Sequence, residues 1–348
     1  MQKIAIIAGD GIGIDVTREA VKVLRRVNEK FSLNLTLIEF EYGADYFLKT
    51  GVGLPPGQMD DFRKNYAAIF LGALGDPRIP DMRHGREILL AMRFELDLYI
   101  NLRPVQLLHE RLCPLKNKMP KDVDFVVLRE NTEGPYVGAG GILKKGTPDE
   151  VATQEAIHTR KGVERIIRAA FEYAVAHGRT RVTMSDKSNV LRYGHDLWQR
   201  AFAEVGLEYP NIEQDHYFVD ALVMKMVKSP EHFQIIVTEN MLGDIITDLG
   251  AMLQGGLGMA GSGNLHPGKV SLFEPVHGSA PYMAGQNKAN PIAAISTAAM
   301  MLDHLGHQAA ANAISQAVQQ AVDENQVTAD IGGKLGTKEC GDFIASRV

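Results

Sequence analysis

Short apolar runs bounded by glycine recur along this chain, and stretches with helical periodicity separate them. "IAIIAG" (4–9) and "AAIFLGA" (67–73) have the length and the nearly all-apolar character of strands buried on both faces. Between them Val16, Ala20, Val23, Leu24, Val27 and Phe31 fall on one helical face. The pattern resumes with "VDFVVLREN" (123–131), "RVTMSDKSN" (181–189) and "FQIIVTEN" (233–240), with helices expected at 161–177 and 190–205. "LNLTLIEFEYG" (33–43) alternates instead, as a strand with one face toward solvent does. Parallel neighbours need long crossovers, so alternation of this kind predicts an α/β fold with a large, mostly parallel mixed sheet. Three stretches rich in glycine or proline, 72–80, 138–148 and 255–268, read as loops, and the last is expected to carry the chain between domains.

A chain of 348 residues fills one large or two ordinary domains. Its 45% apolar and 23% charged residues are ordinary for a soluble globular protein. With a net charge of −5 and scattered lysines and arginines, it offers no footprint for nucleic acid. Cys113 and Cys340 are its only cysteines and lack metal-ligand spacing, which suits two free thiols in a reducing compartment. The longest apolar run, 292–302, is interrupted by Ser296 and Thr297 and is far shorter than a membrane span. No signal-peptide pattern opens the chain, so a cytoplasmic protein is expected, or one from an organelle matrix that has shed a transit peptide.

The first glycine turn poses a specific question. Gly9, Gly11 and Gly13 follow a strand and precede a helix, as in dinucleotide-binding Rossmann units. Their spacing is G-x-G-x-G rather than G-x-G-x-x-G, and Asp10 stands where a phosphate would approach. Glu39 or Glu41 would have to serve as the ribose acid. The plainer expectation is a tight turn, with Asp15 near the start of the following helix.

The strongest local pattern is "VTENMLGDIITDLG" (237–250). Asp244 and Asp248 are four residues apart on a helix, hence on one face, and repel each other. Their sequence neighbours supply no positive charge, and hard oxygen ligands suit Mg²⁺ or Mn²⁺. Arg93, Arg103 and Arg129 stand near expected strand or helix ends, Tyr136 follows in a loop, Lys187 and Asn189 follow another strand, and Asp220 lies in "YFVDAL". Strand C-terminal ends are where ligands bind in α/β sheets. On these residues alone, solvated helix carboxylates, surface arginines and a packing tyrosine stand beside a metal and carboxylate site.

Seven motifs in order decide between them: "GDGIG" (9–13), "NLRP" (101–104), "RENTEG" (129–134), "SDKSNV" (185–190), "VTENMLGDIITDL" (237–249), "FEPVHGSAP" (273–281) and "NPIAAISTAAMML" (290–302). End to end, the chain resembles the β-decarboxylating dehydrogenases of the isocitrate/isopropylmalate dehydrogenase family. The resemblance implies the family's two-domain α/β fold, which is not a Rossmann fold. It implies a cofactor-binding domain from 1–98 and 254–348, and a substrate, metal and dimerisation domain from 99–253. It further implies a homodimer whose active sites are shared. A divalent metal would be held by Asp244 and Asp248 of one subunit with Asp220 of the partner subunit. Arg93, Arg103 and Arg129 would grip the carboxylates of a 2-hydroxy dicarboxylic acid. Lys187 of the partner subunit would take the hydroxyl proton, and Tyr136 would return a proton to the enol carbon. Ile12, Asn189, Glu274, His277, Gly278, Ser279, Ala280, Asn290 and Asp330 match the family's cofactor contacts. Tyr282 and Met283 stand where NAD-using members place an aspartate and NADP-using members a lysine and tyrosine. With no cation on this loop before Lys288, NAD is expected.

The family's substrates differ in one substituent, met by the segment before the first clamp arginine. Here that segment is "REILLAMR", and Leu89 and Leu90 can pack an isopropyl group but cannot satisfy a third carboxylate. The substrate expected is therefore 3-isopropylmalate. "RENTEG", Arg83 and Arg86 keep homoisocitrate, isocitrate, tartrate and D-malate as alternatives. A non-catalytic regulatory subunit is the reading from another class, opposed by the presence of Asp220, Asp244, Asp248, Lys187 and Tyr136.

Overall fold

The computed structural model describes residues 2–348. Twelve strands are found among them: β1 (Gln2–Gly9), β2 (Leu35–Phe40), β3 (Ala68–Ala73), β4 (Ile100–Gln106), β5 (Asp124–Glu130), β6 (Gly140–Leu143), β7 (Val151–Gln154), β8 (Arg181–Asp186), β9 (Glu213–Phe218), β10 (Ile235–Thr238), β11 (Gly261–Leu265) and β12 (Ser271–Pro275). Ten belong to a mostly parallel mixed sheet, and β6 and β7 form a separate antiparallel hairpin. The chain divides into two compact units. One takes the chain up to Leu98 together with Gln106–Pro120 and Ala251–Val348; the other takes Tyr99–Val105 and Lys121–Gly250.

In the first unit the strand order is β2-β1-β3-β12-β11, parallel except for the β11–β12 pair. Successive side chains of a strand point to opposite faces, and here both faces are covered. Ile4 and Ile6 with Ala68 and Phe70 pack under the helices Ile12–Phe31, Ile292–His304, Gln308–Asp323 and Thr337–Arg347. Ala5, Ile7, Ile69 and Leu71 face the other way, against Phe62, Ile88, Met92 and Leu96. Each of the isoleucine, leucine, methionine and phenylalanine side chains among them stabilises the fold by about 1.5–3 kcal/mol when fully buried. β2 is the edge strand, which accounts for its alternating, half-exposed pattern. The apolar run 292–302 is a buried core helix, and among the described residues no helix is long and apolar enough to cross a membrane.

In the second unit the order is β4-β5-β10-β8-β9, with β10 parallel to both β5 and β8, and β8 parallel to β9. The helix Arg160–Ala176, capped by the Thr159 hydroxyl, buries Val163, Ile166, Ile167 and Phe171. Phe171 stacks on Tyr209, with ring centroids 5.0 Å apart, and also meets Phe202 of the helix Gly194–Gly206.

Three details depart from the expectations above. Part of 138–148 is strand β6, and 255–268 contains β11; neither stretch is a plain loop. The helix expected from residue 190 begins at Gly194, because the Lys187 carbonyl first accepts the Val190 and Leu191 N–H groups in a turn. The segment 106–120 packs with the first unit rather than with 99–253. There Arg111 donates to the carbonyls of Val322 and Ile331, Gln319 donates to the Leu108 carbonyl, and Leu108 and Leu112 join the apolar core.

Candidate active site

β5 and β10 run side by side in parallel, with Arg129 in register with Thr238. The helix Asn240–Leu253 starts directly beyond β10, so its first turns stand over the Arg129 side chain. Arg129 is 1% exposed. Its Nε and Nη2 both donate to Asn240 Oδ1, at 2.9 and 2.7 Å, and its Nη1 donates to Asp244 Oδ1. Glycine at position 243 is what permits this approach, since a Cβ there would lie 2.5 Å from Arg129 Cγ. Arg103, on β4, donates to Thr247 Oγ1 one turn further along the helix and lies 3.6 Å from Asp244. Tyr136 donates its hydroxyl to Asp244 Oδ2 at 3.1 Å, and the Arg129 guanidinium carbon is 5.3 Å from its ring centroid.

The sequence neighbours of the aspartate pair supply no positive charge, and the structure brings it from elsewhere in the chain. The cations come from β4 and β5, more than a hundred residues earlier in the chain. It also draws Tyr136 out of the role of a merely packing aromatic. Asp248, one turn beyond Asp244, has its carboxyl pushed above the usual range, first by burial and then by the Asp244 charge, against the pull of Arg103 and Arg129. A dication between the two carboxylates would relieve that repulsion, and hard carboxylate oxygens are the donors Mg²⁺ and Mn²⁺ prefer; the residues fit such a metal. Among the described residues of a single chain, no three His, Cys, Asp or Glu side chains converge to complete its coordination.

Lys187 and Asp220 lie together elsewhere in the second unit. Lys187 follows β8, Asp220 opens the helix Val219–Lys228 after the adjacent β9, and Lys187 Nζ donates to Asp220 Oδ1 at 2.8 Å. That bond holds the Asp220 carboxyl below its ordinary range. On either side of Lys187, Asp186 is buried, with hydrogen bonds to His216, Gln199 and Ser188. The Lys187 main-chain N–H donates to His195 Nδ1. Asn189 is exposed.

In the first unit the two segments expected to hold the cofactor meet. The Ile12 N–H donates to the Ser279 carbonyl at 2.7 Å. Gly11 has φ +56°, and a Cβ there would sit 2.1 Å from that same oxygen, so only glycine fits. The helix N-terminus that would hold phosphate in a Rossmann unit is thus occupied by the chain itself. Asp10 does not repel a ligand either. Its carboxylate is buried and accepts from the Ala44 N–H at 2.6 Å and the Gly75 N–H at 2.8 Å, with His84 at 2.9 Å. Glu39 is paired with Arg25 on the surface.

The His277 ring is buried, with Nδ1 against the Gly278 carbonyl at 3.0 Å and Nε2 without a partner. Burial holds it below the usual histidine range, hence neutral, and the Nδ1 donation leaves Nε2 as a bare acceptor. Gly278 is exposed, and nothing stands within 4 Å of where its side chain would be. Ser279 is buried and Ala280 is half-buried in a left-handed conformation with φ 34°. An orphaned acceptor beside open backbone fits a purine bearing an amino group. Asn290 donates to Asp330 Oδ2 at 3.0 Å, and its side-chain Oδ1 accepts from the Ile292 N–H.

Arg93 is tied to Glu274 at 2.8 Å, and Glu274 also accepts from Asn264 at 2.9 Å. A residue expected to bind substrate thereby touches one expected to bind cofactor, while the Arg93 Nε stays buried without a partner. Leu89 and Leu90 are half-buried in a π-helical turn, Arg86–Leu90, between the helical segments Arg83–Gly85 and Ala91–Glu95. Leu89 packs against the apolar core, so part of its role is structural. Sequence reasoning missed Asn240, Thr247, His84 and His195. Asn240 was visible at a strand end, whereas the others act through contacts that no local pattern announces.

Comparison with known proteins agrees with this geometry. The family model described as isocitrate/isopropylmalate dehydrogenase matches residues 3–344. A 3-isopropylmalate dehydrogenase from Thermobifida fusca is 48% identical over 99% of this chain and 97% of that protein. One from Frankia casuarinae is 44% identical over 99% of each chain. The crystal structure of isocitrate dehydrogenase from Methylococcus capsulatus superposes with a TM-score of 0.90 at 37% identity, over 100% of this chain and 99% of that one. With matches that run the length of the molecule, the chain belongs to the isocitrate/isopropylmalate dehydrogenase family.

Proposed function

We propose that the chain is a 3-isopropylmalate dehydrogenase that oxidises and decarboxylates its substrate to 2-oxo-4-methylpentanoate, a step of leucine biosynthesis. The observation that carries the reading is the Asp244 carboxylate shared by Arg129 and Tyr136 at the ends of two parallel strands. The reading is supported because the residues proposed as carboxylate fork, metal ligand and proton donor share one set of hydrogen bonds. Full-length relatives of the same activity support the choice of substrate over isocitrate, homoisocitrate, tartrate or D-malate.

Arg103 and Arg129 bind substrate carboxylates, and Arg93 does so with its unpartnered Nε. Leu89 and Leu90 pack the isopropyl group, at about 0.8 kcal/mol per buried methylene. Lys187 takes the 2-hydroxyl proton as hydride leaves C2, and Tyr136 later gives a proton to the enol carbon left by CO₂. Asp244 and Asp248, with Asp220 of the partner subunit, would hold Mg²⁺ or Mn²⁺, which would supply Lewis-acid chemistry to the decarboxylation. Ile12, Glu274, His277, Gly278, Ser279, Ala280, Asn290 and Asp330, with Asn189, would hold NAD, which would supply the hydride acceptor. In this reading the first unit carries most of the cofactor contacts together with Arg93, Leu89 and Leu90, and the second carries the metal ligands, Arg103, Arg129 and the dimer contact.

The dimer is supported by what the second unit leaves uncovered. Met224 is 73% exposed and Ile245 is 58% exposed on the helices Val219–Lys228 and Asn240–Leu253, and Val227 and Met241 are exposed with them. The deciding experiment is Mn²⁺-dependent NADH formation from 3-isopropylmalate, set beside isocitrate, homoisocitrate, D-malate and tartrate. The expected result is turnover of 3-isopropylmalate with kcat/KM at least tenfold above the rest. A higher value for another acid would replace the substrate, and no turnover of any would revive the regulatory-subunit reading.

A further inference from the structure

Lys187 sits just beyond a strand end, on a long flexible side chain, where small shifts of its backbone move the amine. Its carbonyl is fixed by the N–H groups of Val190 and Leu191, at 3.0 and 2.8 Å. Its own N–H lies beyond the last residue of β8, and the partner it finds is a side chain: His195 Nδ1, at 2.7 Å. His195 is 1% exposed in the first turn of the helix Gly194–Gly206, and its own N–H donates to the Leu191 carbonyl at 3.1 Å. The turn from Lys187 to His195 is therefore closed at both ends. The ring is wedged edge-on against His158, with centroids 5.5 Å apart, and His158 in turn accepts from Trp198 Nε1 at 3.3 Å.

We propose that His195 is a positioning residue for Lys187: its neutral imidazole accepts the Lys187 main-chain N–H and so fixes where the side chain of the base begins. The inference rests on the reading of Lys187 as the base. The neutral state follows from the surroundings, since a buried imidazolium could not accept through Nδ1. Burial, and then the neighbouring His158, hold His195 down at about 4, against Asp186. Accepting through Nδ1 leaves the proton on Nε2, where it is buried with no partner. A buried donor left unpaired is a cost that the fold carries, and it is offset by holding Lys187 in one place.

Three measurements test this. In the wild-type protein, ¹⁵N chemical shifts of His195 are expected to show the Nε2–H tautomer, unprotonated down to pH 5.5; the Nδ1–H tautomer would overturn the proposal whatever the activity. Hydrogen exchange at the Lys187 amide is expected to be slow in the wild type, at least tenfold faster in His195→Phe, and slow again in His195→Asn, whose Oδ1 can accept in nearly the same place. Turnover is expected to follow the same order: kcat down by 10–100-fold in His195→Phe with KM for the hydroxy acid within threefold, and recovered to within about fivefold of wild type in His195→Asn. Equal losses in the two variants, or none, would make His195 a packing residue only. If the wild type turns over none of the five acids, the functional reading fails, while tautomer and exchange still decide whether the bond is made.

Discussion

Arg129 shows how much one side chain can be asked to do. Its fork spans Asn240 and Asp244 while its face covers Tyr136, all at 1% exposure. Lysine keeps the charge but is a point donor and cannot make this span. Arg129→Lys is expected to lower kcat/KM by at least 100-fold and to cost about 1–3 kcal/mol of stability, through unsatisfied Asn240 and Asp244 oxygens. Steady-state kinetics and urea unfolding would measure both; retention of wild-type kcat/KM would remove Arg129 from the site. The two thiols make a second contrast. Cys340 is fully buried and its pKa is pushed up to about 12 by burial, then by Asp330 and Glu19, whereas Cys113 is part-exposed. A thiol-reactive chromogen at pH 8 is expected to titrate one cysteine quickly in the native protein, and two only in denaturant. At this scale the sequence revealed residues by their type and their place at strand ends. It did not reveal their partners: Arg129 and Asp244 are 115 positions apart.

The elements were legible where side chains carry the signal. β1, β3, β5 and β10 were readable because apolar side chains on both faces leave a continuous run. β6 and β11 were not, because "GGIL" and "GSGNL" are built on glycines, which have no side chain to write a periodicity. The helices Val219–Lys228 and Asn240–Leu253 carry a different message. Both bury one side and leave large apolar residues on the other, a pattern that in a lone chain would favour aggregation and in an assembly forms an interface. Introducing Met224→Glu and Ile245→Glu together is expected to turn a dimer into a monomer by light scattering. On the shared-site reading turnover is expected to be lost with it, because that reading needs Lys187 and Asp220 to reach the partner's site. A fully active monomer would refute the shared-site reading.

For the molecule as a whole, two predictions join stability to assembly. Burial holds His158, His195, His277 and His304 below the ordinary histidine range. A base whose folded pKa is depressed lets the unfolded chain bind more protons, so its contribution is present above pH 6.5 and is lost as pH falls toward the folded value, about 4 for His195. Glu130, pushed up to about 7 by burial, acts with the opposite sign and favours the folded state less as pH rises through 7. Tm is therefore expected to fall between pH 6.5 and 5, by on the order of 5 °C, and to fall less in His195→Asn. The second prediction concerns how sites are divided between chains. Tyr136 and Arg129 contact Asp244 of their own chain, while Lys187 contacts Asp220 of its own chain. If each site takes the first group from one subunit and the second from the other, Lys187→Met and Tyr136→Phe proteins are each inactive as homodimers. Mixed after reversible dissociation, half of the dimers are hybrids, and one site of each hybrid regains both residues. Activity is then expected to return to about a quarter of the wild-type level. Sites built from one chain alone would stay inactive at every mixing ratio, because neither variant chain holds both groups.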